Sequence, residues 1–86
     1  MDINELISIV KAKLESQITI QNIKIEDRSF LHKGHKGNDK NKFHLKIILI
    51  STELSRLSKI ESNRKIYKIL EKELNKYIHS LQILIK

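Results

Sequence analysis

Four imidazoles and no thiol bound the chemistry open to this chain. His32, His35, His44 and His79 are its histidines, and it contains no cysteine. Near neutral pH an imidazole can ligate a metal, carry a proton or serve as a polar surface group. The lack of cysteine removes disulfides, thiolate metal sites and thiol catalysis supplied by the chain itself. His32 and His35 form a His-x-x-His within the polar stretch Glu26-Asp27-Arg28-Ser29-Phe30-Leu31-His32-Lys33-Gly34-His35-Lys36-Gly37, which holds both glycines and no β-branched residue. Isoleucine-rich runs flank that stretch, so it reads as a loop between two strands, with scaffold on either side and chemistry at the tip. Two imidazoles are too few ligands to retain a metal securely, and structural zinc normally recruits thiolates. Any such site is expected to be completed by another molecule. No nucleophile–base pair and no paired catalytic carboxylates stand out, which points away from an enzyme.

The scaffold that must position these groups is small. At 86 residues there is room for one domain, spanning 1–86, with one modest core. A domain of this size buries roughly 60–65% of the surface its unfolded chain exposes, too little for a deep enclosed substrate pocket. The longest uninterrupted apolar run is 47–50, far short of a bilayer span. The opening Met-Asp-Ile-Asn-Glu is acidic, unlike a secretory or import peptide. The expected compartment is the cytoplasm, with no membrane partner. The net charge of +7 is compatible with a nucleic-acid footprint. Yet the arginines are Arg28, Arg56 and Arg64 alone, and the lysines spread over every segment as a solvated face would.

Taken in order, Asp2-Ile3-Asn4-Glu5 reads as an N-cap with an acidic residue three positions on. Ile3, Leu6, Ile7, Val10 and Leu14 recur at helical spacing, predicting a first helix that ends near Glu15 or Ser16 with Lys11 and Lys13 toward solvent. From Ile18 the period becomes two, with a parity break at Gln21-Asn22 that predicts a bulge or a late strand start. After the turn cluster Asn38-Asp39-Lys40-Asn41 comes the clearest strand, opened by His44. Leu45, Ile47 and Leu49 alternate there with Lys46, Ile48 and Ile50, and a strand apolar on both sides is usually central. A short irregular or single-turn segment over 53–58 precedes a long helix carrying Ile60, Ile66, Tyr67, Leu70, Leu74 and Tyr77 at a 3.6-residue period. Glu61 and Lys65 stand at i,i+4 on its exposed side. Leu81, Ile83 and Ile85 then mark a third strand.

The order is αββαβ, an α+β class with a three-stranded mixed sheet and both helices on one face. The helical crossover makes the third strand parallel to the second, by a right-handed connection. The third strand then starts at the end of the sheet where the second one starts, which is also where the loop empties. His79 and the loop histidines are thus expected at a common rim.

Four segments in register resemble the BolA family. Ser29-Phe30-Leu31-His32-Lys33-Gly34-His35 is similar to that family's Ser-x-x-His-x-Gly-His loop. His44-Leu45-Lys46-Ile47-Ile48-Leu49-Ile50-Ser51 resembles its strand of His-Phe, a β-branched run and Ser. Arg64-Lys65-Ile66-Tyr67 with Leu70, Glu73 and Leu74 resembles its long helix, and His79-Ser80-Leu81 stands where the family has His-Ala-Leu. The family's Arg-His-Arg at the start of the long helix is Ser62-Asn63-Arg64 here, and a glycine common before that helix is Arg56. Neither change touches the loop or the last strand.

The resemblance implies a fold similar to the type II KH arrangement and a partnership with a monothiol glutaredoxin around a shared [2Fe–2S] cluster. By that likeness the ligands from this chain are His79 and His32, with His35 as the alternative in the loop, and the partner's cysteine and glutathione complete the shell. No cluster is expected on the isolated protein, and a homodimer is compatible with the sequence. Ligating imidazoles must be neutral, so cluster binding is expected to weaken as pH falls through the histidine range. The implied role is an adaptor in iron–sulfur trafficking or iron sensing. The alternative is a DNA-binding transcriptional regulator, resting on Arg56, Lys59 and Arg64. Gly34-His35-Lys36-Gly37 spells the GxxG that KH domains use to clamp a nucleic-acid backbone. In KH domains that loop joins two helices, whereas here the motif falls between strands, and 54–58 contains no glycine.

Overall fold

The Asp2 carboxylate starts the fold by accepting the Glu5 backbone N–H at 2.9 Å, which satisfies one of the orphan donors of the first turn. In the computed structural model, which describes residues 1–29 and 42–86, helix α1 (Ile3–Gln17) then buries Leu6, Val10 and Leu14 completely. The loop histidines His32 and His35, the GxxG string and the turn cluster at 38–41 lie outside the described residues. Strand β1 (Asn22–Asp27) begins late, after the parity break. Strand β2 (Phe43–Ile50) is central, antiparallel to β1 from Asn22↔Ile50 to Asp27↔Leu45. A single-turn helix α2 (Thr52–Ser55) is capped by Ser51, whose hydroxyl accepts from Leu54 N. Helices α3 (Lys59–Ile69) and α4 (Glu71–Lys76) lead to strand β3 (Ile78–Ile85), which runs parallel to β2.

The result is a small α+β domain with a mixed sheet in the order β1-β2-β3. Leu45, Ile47 and Leu49 on one face of β2 are buried with Leu6, Val10 and Leu14 of α1 and with Ile66 and Leu70. Half-buried Ile23 and Ile25 from β1, and Leu81, Ile83 and Ile85 from β3, pack at their margins. The opposite sheet face is only partly covered, since Ile50 and Leu84 are exposed. The element order is compatible with a type II KH arrangement. Among the described residues, no helix is long and apolar enough to cross a membrane.

Several local readings change in three dimensions. The long helix bends at Leu70 (φ −98°, ψ 14°), although Leu70 N still reaches Ile66 O and Leu74 N reaches Leu70 O. Neither glycine nor proline marks that bend. Ile60 and Tyr67 were expected on the apolar stripe but are exposed, with the Tyr67 hydroxyl donating to Leu81 O at 3.2 Å. Lys13 is not simply solvent-facing: it crosses to Glu73 on α4. Lys65 reaches Glu53 at 2.6 Å, not Glu61, because α2 brings that carboxylate alongside α3.

The Lys65 ammonium, and after it the Thr19 backbone N–H, hold the Glu53 carboxyl below its ordinary 4.5. A lowered folded-state pKa stabilises the fold above the unfolded value and loses that contribution as pH falls through the lowered one. Lys65→Met is therefore expected to lower stability slightly at neutral pH and leave it nearly unchanged at the acid extreme, flattening the acid limb of a stability–pH curve below about pH 4.5. An unaltered acid limb would assign that limb to other carboxylates.

Candidate functional site

One end of the sheet collects the starts of β2 and β3 and the end of β1. There the ladder is irregular: Phe43 pairs with Ile78, but the next residue, His44, pairs with Ser80. His79 is the extra residue of this bulge, a device that re-aims a side chain at the margin of a sheet. The consequence is visible in burial. Ile78 enters the core and Ser80 lies on the other face beside His44, while the imidazole of His79 between them is exposed.

His44 fastens this rim together. Its carbonyl accepts from Arg28 N at 2.7 Å, and its own N–H donates to the Ser29 hydroxyl at 3.1 Å. The Ser29 N–H in turn donates to Asp27 Oδ1 at 2.9 Å. The stem from which segment 30–41 departs is therefore pinned to the first residues of β2. On the other side, Phe43 N donates to Tyr77 O at 2.8 Å. The His44 side chain is buried, with its Nδ1 2.6 Å from Ser80 Oγ. Its ring centroid lies 4.9 Å from that of His79, with the planes tilted by 42°.

The structure thus puts His79 at the rim where both stems of segment 30–41 attach, while the placements of His32 and His35 fall outside the described residues. His44 and Ser80 were not singled out as working parts of the site. Their pairing depends on a one-residue register shift, whose one signal in the sequence is the change of parity between Ile78 and Leu81. Arg56, Lys59 and Arg64, the residues of the nucleic-acid reading, are exposed at the α2–α3 corner. That corner borders a shallow cavity of about 400 Å³ lined by Leu54, Leu57, Lys59, Ser62, Ile83 and Ile85. Because β3 runs from His79 toward Ile85, the two candidate regions stand at opposite ends of the sheet, on the order of 20 Å apart at about 3.3 Å per strand residue.

Among the described residues no group of three or more His, Cys, Asp or Glu side chains is gathered to hold a metal, so the accessible His79 imidazole could serve only as one ligand of a site completed from elsewhere. Imidazole is a known ligand for [2Fe–2S] iron.

Fold and rim together define an αββαβ domain that presents a histidine at the start of its last strand. The model of the BolA-like protein family matches residues 14–86, and the chain belongs to that family. It is similar to the DNA-binding transcriptional regulator BolA of Haemophilus influenzae, with 28% identity over 75 residues, 87% of this chain and 70% of that protein. It is also 28% identical over 82 residues to the chloroplastic protein BOLA1 of Arabidopsis thaliana, covering 92% of this chain but about half, 51%, of that protein. Among solved structures, the BolA domain of SufE1 from Arabidopsis thaliana superposes with a TM-score of 0.79 at 27% identity, covering all of this chain and 93% of that one.

Proposed function

We propose that this chain is a cytoplasmic adaptor that holds a [2Fe–2S] cluster jointly with a monothiol glutaredoxin and passes it on in iron–sulfur trafficking or iron sensing. The observation that carries the reading is the exposed His79 imidazole on a bulge at the rim where segment 30–41 attaches. His79 and His32 are the two ligands from this chain, with His35 as the alternative in the loop. The partner's cysteine and glutathione supply the thiolates that the chain lacks. Two neutral imidazoles in place of two thiolates leave the cluster less negative and raise its potential. A cluster held between two proteins is handed on when one of them leaves.

The test is anaerobic reconstitution with a monothiol glutaredoxin, glutathione, iron and sulfide. The expected product is a coloured heterodimer whose visible absorption and circular dichroism differ from those of the glutaredoxin homodimer. A mixture showing only the homodimer's spectrum would sink the proposal.

A DNA-binding regulator is the second reading, favoured by the Haemophilus relative's name and by the basic α2–α3 corner beside its apolar cavity. This reading predicts affinity that falls steeply with salt, by about 0.9 log unit per log unit of salt for each phosphate neutralised. Arg56, Lys59 and Arg64 would carry that slope, and His79→Ala would leave it unaltered. Flat salt dependence would dismiss it.

A further inference from the structure

We propose that Ser80 and His44 act together as positioning residues for the His79 imidazole, holding it in place before any partner arrives. The inference rests on the reading of His79 as a cluster ligand. An exposed histidine at a sheet margin ordinarily samples several rotamers, and a ligand that must be ordered on binding loses affinity by that ordering. Here the exposed ring does not stand alone. The buried ring of His44 lies 4.9 Å away, centroid to centroid, and tilted by 42°. His44 is itself held at both ends. Its backbone is tied to Arg28 and Ser29 on one side, and its Nδ1 meets Ser80 Oγ at 2.6 Å on the other.

Because a hydrogen bond to one ring nitrogen restrains the rotation of an imidazole, the serine helps to hold the face that His44 turns to His79. The bulge makes this arrangement available. The register shift lets Ile78 stay in the core while Ser80, two residues on, lies beside His44, and it leaves His79 between them at the margin. Metal-ligating histidines are commonly oriented by the groups around them, and loss of such a group typically costs about 10- to 100-fold in metal affinity. Ser80 acts one contact further out.

Ser80 is the lever for the test, since its residue is exposed, whereas truncating buried His44 risks the fold itself. In the free protein, proton NMR of the wild type should show through-space contacts between the two imidazole rings. Ser80→Ala should weaken them, and Ser80→Thr, which keeps the hydroxyl, should restore them, with melting temperature unchanged throughout. In the reconstituted heterodimer, Ser80→Ala should shorten the lifetime of the cluster by about 3- to 10-fold, less than a direct orienting partner costs, and alter its visible circular dichroism. Ser80→Thr should match the wild type in both. Ring contacts that survive Ser80→Ala, or a cluster lifetime that ignores it, would overturn the positioning role and leave the ligand reading standing. A heterodimer spectrum indifferent to His79→Ala would overturn the ligand reading, and the positioning role with it.

Discussion

Replacing His79 with alanine is expected to leave the fold standing and to erase the spectrum that distinguishes the heterodimer. The position is exposed and lies at the bulge, outside the alternation that fills the core. Substitutions at such places usually change stability by no more than about 0.5 kcal/mol. The chemical effect should be large by comparison. His79 would be one of only two donors from this chain, and altering groups that merely orient a ligand already costs about 10- to 100-fold. Loss of the ligand itself should therefore weaken joint cluster binding by more than about 100-fold, and titration should return the glutaredoxin homodimer's absorption and circular dichroism. The loop variants refine the assignment. His32→Ala should labilise the cluster more than His35→Ala, and the reverse order would reassign the loop ligand. A wild-type spectrum from the His79→Ala protein would remove this rim from consideration.

The second large effect concerns the core. Lys13 on α1 binds both carboxylate oxygens of Glu73 on α4, at 2.9 and 2.7 Å, with side-chain exposures of 37% and 5%. The two partners are unequally buried, so the two single substitutions should be unequal in cost. Lys13→Met strands a carboxylate away from water, and breaking a fully buried pair in this way costs about 3–5 kcal/mol. The partial exposure of Lys13 reduces this to about 2 kcal/mol, or a fall in Tm of about 10 °C for a domain of this size. Glu73→Gln leaves an ammonium that can turn to solvent, and should cost about 1 kcal/mol or less. The double replacement Lys13→Met with Glu73→Leu should recover most of the loss, because well-packed apolar side chains replace buried ion pairs with little penalty. Equal and additive single effects in urea denaturation would show that the pair does not couple.

The expectations that held were those written into contiguous residues. Asp2 caps the first helix, Leu6, Val10 and Leu14 fill one of its faces, and the alternating residues of β2 announce a central strand. The order αββαβ follows from those elements, and it put His79 at the same end of the sheet as the stems of segment 30–41. What escaped is pairwise and distant. Lys13 finds a partner 60 residues away, and Lys65 prefers Glu53, 12 residues back, over the Glu61 one helical turn away. Propensity rules describe a helix in isolation and cannot see a carboxylate delivered by another element. The bend at Leu70 has no glycine or proline to betray it. Within the rim, the backing of His79 by His44 turns on a single inserted residue, marked only by the change of parity between Ile78 and Leu81, which escapes notice when the strand is expected to open at Leu81.

The bulge at the start of β3 also has an evolutionary consequence. A side chain at position 79 sits in a slot that neither sheet face requires, so its identity can drift or be exchanged without repacking anything beneath it. Even removal of the residue would keep the pairing beneath it, since Ile78 opposite Phe43 and Ser80 opposite His44 would become consecutive pairs of a regular ladder. The protein thus carries its working residue as a supernumerary one, placed outside the pattern that builds the sheet.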